Sequence, residues 1–275
     1  MDIIDLRKQD QLIYDHSREE NPEPYVFMHA HTDMEIYYLI DGDVEYHVEN
    51  SIYKPMPGDI LIMRPGEVHT SLVTSPRAYD RFNLRFSPEL LKETLNGRLL
   101  RPFLDRPAGV SNHYTAQELH SELIKSCFSR MFTRDTGRDP MRAVTYLLPI
   151  LQEIYDAWSI RDIPKENPAT TLPARIIAYI NQNLSGLESP QQICDAFYMS
   201  QAQLYRVFRA YAGTSVWDYV RAKRLHAARE QMLSGVAPAQ AALENGFSDY
   251  STFFRAYKKE FEHTPKEDYE NSKRS

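Results

Sequence analysis

Cysteine is nearly absent from this chain. Cys127 and Cys194 are its only two. They lie far apart and outside any C-x-x-C spacing, which excludes a disulfide framework and a thiolate zinc site, so each reads as a buried thiol in a reducing compartment. Long apolar runs are missing as well. No stretch of 18 apolar residues occurs, and the opening MDIIDLRKQD has no apolar core, so neither a membrane span nor a signal peptide is expected and the protein is placed in the cytoplasm. Basic charge is also short: 32 Lys+Arg stand against 38 Asp+Glu, a net charge of −6. That balance excludes binding to a polyanion through a general positive field.

The 275 residues suffice for two domains with cores of their own, and charge divides unequally between them. Leu172–Ser275 carries 13 Lys+Arg and 11 Asp+Glu, net +2, whereas the remainder carries 19 and 27, net −8. Near this division stands SIRDIPKENPATTLPAR (Ser159–Arg175), where Pro164, Pro168 and Pro173 interrupt any helix. It reads as a linker. Pro173 can also open the next helix, whose Ile176, Ile177, Ile180 and Leu184 form one stripe.

Beyond the linker the sequence repeats itself. SQAQLYRVFRAYAGTS (Ser200–Ser215) matches SDYSTFFRAYKKEFEHTP (Ser248–Pro265) at a shift of 49, which puts Leu204 on Phe253, Arg206 on Arg255, Phe208 on Tyr257 and Arg209 on Lys258. Upstream, SPQQICDAFYMS (Ser189–Ser200) matches APAQAALENGFS (Ala237–Ser248) at a shift of 48. Each copy is a short helix, a turn and a longer helix. Ser189-Pro190 supplies a capping hydroxyl and a first-turn proline, and Ala237-Pro238 keeps only the proline. In the second turn Gly246 can take a positive φ, and the small Cys194 and Ala242 suit two helices crossing closely.

At about 100° per residue, Leu204, Phe208 and Tyr211 share one face of the first long helix, and Ala202, Arg206 and Arg209 share the opposite one. In the second, Phe253, Tyr257 and Glu260/Phe261 point inward while Ser251, Arg255 and Lys258 point outward. A major-groove recognition helix needs such a surface: small or polar residues in the first turn, then an arginine for base edges, then a base for phosphate. The candidate DNA contacts are Gln201, Ala202, Gln203, Tyr205, Arg206 and Arg209 in the first copy and Asp249, Tyr250, Ser251, Arg255 and Lys258 in the second. Between the copies, Ser215–Leu233 reads as one helix that spaces them, and a separation of ~34 Å would reach successive major grooves.

This region resembles the double helix-turn-helix domain of AraC/XylS-type transcription regulators. Its L-x-R-x-F-K/R pattern is met by Leu204, Arg206, Phe208 and Arg209. Its F-x-R-x-F/Y-K-K pattern with a following T-P is met by Phe253, Arg255, Tyr257, Lys258, Lys259, Thr264 and Pro265. Glu262 departs from the glycine usual there, which bears on the shape of the final turn.

The amino-terminal half changes to short alternating runs, MEIYYLI, VEYHV, GDILIM and YDRFNLRF, with turns at Asp41-Gly42-Asp43, Pro55 to Gly58 and Pro65-Gly66. Read by twos, these are strands of a small β barrel or sandwich. Pro88–Trp158 reads as helical, with Val144, Leu147, Leu148, Leu151, Ile154, Tyr155 and Trp158 on one face that covers the barrel or pairs with a second subunit, and Pro149 inside it. Met1–Pro24 shows no repeated pattern and is expected to be an arm over the barrel mouth. His29-x-His31 on a strand would place both imidazoles on one face, and with Glu35 and His69 they make four possible ligands for a divalent metal. Tyr37, by alternation with Glu35, and Arg81, alternating with Asn83, are further pocket candidates.

The spacing His29, His31, Glu35, Gly42 resembles the first cupin motif, and Gly58, Pro65, Gly66, His69 approximates the second. The resemblance therefore implies an α+β protein of two domains: a cupin-like β barrel with dimerisation helices over residues 1–158, a linker over 159–173, and an all-α double helix-turn-helix over 174–275. It also implies a homodimer that binds double-stranded DNA, works with RNA polymerase, most readily as an activator, and answers a small molecule, with a sugar the best fit. His29, His31, Glu35, Tyr37, His69 and Arg81 would bind effector. No cofactor is required, and a divalent metal at His29, His31, Glu35 and His69 stays open. No acid/base or nucleophile constellation is evident, so an enzyme is not expected. The alternative is a metal-dependent cupin enzyme fused to a helical domain.

Overall fold

The computed structural model describes residues 2–9, 11–22, 28–92, 94–132, 140–163 and 171–272. The chain divides into two compact units, residues 1–25 with 31–168, and residues 26–30 with 169–275.

Among its described residues the first unit holds nine strands: β1 (Asp2–Gln9), β2 (Leu12–Glu19), β3 (Met34–Asp41), β4 (Val44–Val48), β5 (Ser51–Tyr53), β6 (Ile60–Met63), β7 (His69–Val73), β8 (Tyr79–Phe86) and β9 (His113–Tyr114). They form a six-stranded sheet, β1-β2-β8-β3-β6-β9, and a three-stranded sheet, β5-β4-β7. Among the described residues the barrel is thus an open, two-sheet one. Alternation decides which side chains go where. Met34, Ile36 and Tyr38 of β3, with Leu12, Tyr14, Ile60, Ile62, Phe82, Leu84 and Phe86, face a helical layer and form one core. Tyr37, Leu39, Leu61, Met63 and Tyr79 point the other way and meet Val44, Tyr46 and Val48 of the small sheet in a second core.

The helical layer comprises α1 (Glu89–Lys92), a 3-10 turn (Thr94–Leu100), α2 (Arg101–Leu104), α3 (Ser121–Met131) and α4 (Pro140–Ser159). Leu147, Leu151 and Ile154 of the expected apolar face of α4 are buried against the large sheet together with Ala143 and Ile150, whereas Val144, Leu148, Tyr155 and Trp158 are only partly buried. Pro149 lies inside a helix that continues past it. Below the helices, Glu67 and Arg106 are fully buried and joined at 2.7 Å, with the Asn112 amide donating to Glu67 at 3.0 Å. Gly42 closes the β3–β4 turn at φ +113, where a Cβ would stand 2.9 Å from the Ala78 carbonyl oxygen.

Two expectations are corrected here. Residues 2–9 and 12–19 are strands rather than a patternless arm: β2 pairs with β8 over eight positions, Leu12↔Phe86 through Glu19↔Tyr79. Its polar inward residues, Asp15 and Ser17, hid the alternation. The segment expected to be helical also contains β9, which pairs with β6. Of the expected linker, residues 164–170 lie outside the described residues, while Pro173 sits in the first turn of α5 (Leu172–Gln182), capped by Thr171.

The second unit continues with α6 (Pro190–Phe197), α7 (Gln201–Ala212), α8 (Val216–Leu233), α9 (Pro238–Glu244), α10 (Tyr250–Phe261) and α11 (Pro265–Ser272). Ser189 and Gln192 form a reciprocal capping box at α6, whereas Ala237 gives α9 no side-chain cap. Leu204 and Phe208 of α7 and Phe253 and Tyr257 of α10 are fully buried, as the helical stripe requires. Glu262 ends α10 at φ +63 with its N–H on Lys258 O, so the final turn keeps its left-handed cap without glycine.

Candidate functional site

Cross-strand pairing assembles a polar patch on the concave face of the large sheet. Asp15 lies opposite Asn83, and Ser17 opposite Arg81, across β2 and β8. Asn83 in turn lies opposite Tyr37, and Arg85 opposite Glu35, across β8 and β3. The small sheet supplies Tyr46 and His69. The Tyr37 and Tyr46 rings stand 4.7 Å apart, Tyr46 lies parallel to His69 at 6.1 Å, and the Tyr37 and Tyr79 hydroxyls are bonded at 3.1 Å. The Arg81 guanidinium sits 4.6 Å above the Tyr79 ring. Asp15 Oδ2 and Asn83 Oδ1 are buried with no hydrogen-bond partner among the described residues. Burial pushes the Asp15 carboxyl up, against the pull of Arg81.

At one end of this face His31, Glu35 and His69 converge, with their ligating atoms within 4.8 Å of one another. His31 Nδ1 donates to Asp33 O at 3.0 Å and His69 Nδ1 donates to Glu67 O at 2.8 Å. Those bonds turn both Nε2 atoms to Glu35 Oε2, at 2.6 Å from His31 and 3.5 Å from His69. Burial alone would raise the Glu35 carboxyl, but His69 and His31 outweigh it and hold the group well below the usual carboxylate range. Burial likewise lowers His69, and the Glu35 charge more than reverses that. The cluster has room for a shared proton or a small cation between two imidazoles and a carboxylate.

His29 does not join this cluster. The His-x-His argument needs a strand, and β3 begins only at Met34. Residue 29 is exposed and falls in the second compact unit. Tyr37 and Arg81 do lie on the concave face with Glu35. Asp15, Ser17, Tyr46 and Tyr79 went unrecognised from sequence, the first two because β2 carries polar residues on both of its faces.

In the second unit, Gln201, Ala202, Gln203, Tyr205, Arg206 and Arg209 of α7 are all exposed, as are Tyr250, Ser251, Arg255 and Lys258 of α10. Asp249 is exposed too, but its carboxylate accepts from the Ser251 and Thr252 N–H groups at 2.9 and 3.0 Å. Its work is to cap α10, which makes it a poor acceptor for a base edge. Of the bases on α8, Arg224 and Arg229 turn inward. Arg224 donates to three backbone carbonyls and Arg229 to Asp268 at 2.8 Å.

Residues 15–151 match the AraC-like ligand binding domain, and residues 193–270 match a helix-turn-helix domain. Among curated proteins, the HTH-type transcriptional activator RhaR of Salmonella arizonae is 22% identical over 248 residues, covering 89% of this chain and 87% of that one. Among solved structures, unsaturated fatty acid bound ToxT from Vibrio cholerae is 13% identical with a TM-score of 0.43, covering 95% of each chain. The AraC-like transcriptional activator CuxR is 16% identical with a TM-score of 0.40, covering 86% of this chain and 82% of that one.

Proposed function

The chain belongs to the AraC/XylS-type transcription regulators, sequence-specific on DNA and responsive to a small-molecule effector, and from that premise we propose that it is a cytoplasmic activator whose effector is a carbohydrate. The observation that carries the sugar is the concave face. Acceptors at Asp15 and Asn83 without a partner among the described residues call for hydroxyl donors, and the Tyr37, Tyr46 and Tyr79 rings, packed on one another as they stand, suit the face of a pyranose or furanose once the two sheets part. Arg81 and Glu35 mark its two ends. The protein acts as a homodimer that recruits RNA polymerase, with Arg206 and Arg255 reading bases and Arg209 and Lys258 holding phosphate.

A thermal-shift screen of neutral monosaccharides tests the reading, because a ligand that binds only the native state raises apparent stability by RT ln(1 + [L]/Kd). One sugar should raise the unfolding temperature of the intact chain and fail to do so in Arg81→Ala. A shift that survives Arg81→Ala places the ligand elsewhere, and no shift from any sugar rejects the class. A divalent cation held by His31, Glu35 and His69 is a second reading, favoured by the two Nδ1 bonds that aim both Nε2 atoms at the carboxylate. Stoichiometric metal in protein purified without chelator, lost in His69→Ala, supports it. Such a cation would orient effector, without catalytic turnover.

A further inference from the structure

Tyr198 and Gly246 hold the same place in the two helix-turn-helix copies. Both adopt the left-handed conformation, at φ +52 and φ +79. The hydrogen bonds around them correspond: Met199 N–H donates to Cys194 O and Phe247 N–H to Ala242 O, each at 3.0 Å. In the second copy glycine is required by space as well as by φ, since a Cβ would stand 2.6 Å from Ser185 O and 2.7 Å from Arg224 Cζ. In the first copy the turn faces solvent. There the strained position carries a tyrosine that is 98% exposed. A side chain with a Cβ is disfavoured in this conformation, and a ring so exposed returns no burial to offset that. Nothing inside the domain accounts for the tyrosine.

We propose that Tyr198 is a DNA contact whose hydroxyl donates to a backbone phosphate beside the groove that α7 enters. The inference rests on the DNA-binding reading of α7. Tyr198 stands two residues before Ser200, the N-cap of α7, and the side chains that follow, Gln201, Ala202 and Gln203, are all exposed. In a helix-turn-helix the first helix crosses the sugar-phosphate backbone and the amino-terminal residues of the second meet base edges, so the turn between them lies at the backbone. Gln191 of α6 accepts from Gln201 at 3.0 Å and donates to Asp195 at 2.8 Å, which ties the two helices together there and engages the nearest acidic group. Gln191, Asp195, Ser200, Gln201 and Gln203 make most of the exposed neighbours polar, and the apolar exposed ones, Ala196 and Ala202, are small, unlike the apolar centre of a protein interface. Because a phenol is neutral, its bond to phosphate adds affinity for every sequence and releases no counterion.

The experiment uses the full chain and a short mixed-sequence duplex, with Arg209→Ala as the control for phosphate contact. Tyr198→Phe should weaken binding about tenfold or more, the value of one hydrogen bond to a charged acceptor, with an unchanged salt slope and unchanged unfolding temperature. Tyr198→Gly should weaken binding at least as much while raising the unfolding temperature, a split that a purely structural role cannot produce. Binding within twofold of the parent in both variants, with Arg209→Ala weakened, overturns the proposal and points the ring at a protein partner. Unchanged binding in all three variants also overturns it, and removes the assignment of α7 itself.

Discussion

Arg224 holds the carbonyl of Gly246 at 2.9 Å with one guanidinium nitrogen, while its others hold Leu184 O at 2.9 Å and Leu187 O at 2.5 Å. One side chain on α8 thus ties the segment entering the first helix-turn-helix to the turn of the second. Burial lowers its pKa, and three backbone oxygens stand where a carboxylate partner would. Arg224→Met should therefore cost roughly 3 kcal/mol or more, because three carbonyls lose their donor. Gly246→Ala should cost about 2–4 kcal/mol through the left-handed strain and the close contact with Ser185 O. Urea unfolding of the full chain, followed by helical signal, measures both.

The repeat assigns equivalent roles to Arg206 and Arg255, and both are exposed where the stripe requires. Either change to alanine should weaken specific binding by about 1–3 kcal/mol and relax preference at a different base position. Arg209→Ala and Lys258→Ala should weaken binding to all sequences alike and reduce the salt slope by about one unit each. Selection of binding sites from a random duplex pool, followed by titration at several salt concentrations, separates the two classes.

Glu35 and His69 set a stability window in pH. Glu35 has its pKa lowered from 4.5, so its contribution is present above that value and is lost as pH falls through the folded-state pKa. His69 has its pKa raised from 6.5, so its contribution is present below that value and is lost as pH rises through the folded-state pKa. The pair stabilises most between the two ordinary values. Glu35→Gln should destabilise by about 3 kcal/mol near pH 6 and flatten both limbs. Thermal unfolding across pH reads the result, and limbs unchanged in the variant would assign them to other groups.

Glu262 occupies a left-handed cap that favours glycine. Glu262→Gly should stabilise the chain by about 1 kcal/mol and leave DNA affinity unchanged, as calorimetry and a binding titration can establish.

Deleting Met1–Glu20 removes β1 and β2 from one end of the large sheet and uncovers β8 along eight paired positions. The shortened protein should lose the fold of its first unit, with exposed apolar surface and aggregation, rather than become a constitutively fixed regulator. Circular dichroism and gel filtration of the truncated chain decide between these outcomes.

The helical half was the more legible. Its periodicity repeats over two copies, and caps such as Ser189 and Ser200 announce themselves by residue type and spacing. Strands β3, β4, β6 and β8 were readable because apolar residues dominate them. Strand β2 was not, since Asp15, His16 and Ser17 replace the apolar–polar alternation with polar residues on both faces. His29 misled because a spacing motif says nothing about where a strand begins. His31, Glu35 and His69 were grouped by the spacing of two motifs, and it is the facing of β3 and β7 across the two sheets that brings them together. Nor could sequence alone distinguish Arg224 from Arg221, one buried on carbonyls and the other paired with Asp218 at the surface.

The two sheets of the first unit are unequally supported. The helical layer shares a core with the large sheet, whereas β4, β5 and β7 contribute none of its buried residues and rest on the inner core and on a few polar bonds such as that of the Tyr53 hydroxyl to Gly109 O at 2.7 Å. The mechanical consequence is a stiff plate faced by a compliant flap. The proposed effector, lodged between them, would deform the flap first, so the motion that carries news of occupancy would begin in the three short strands that bear Tyr46 and His69.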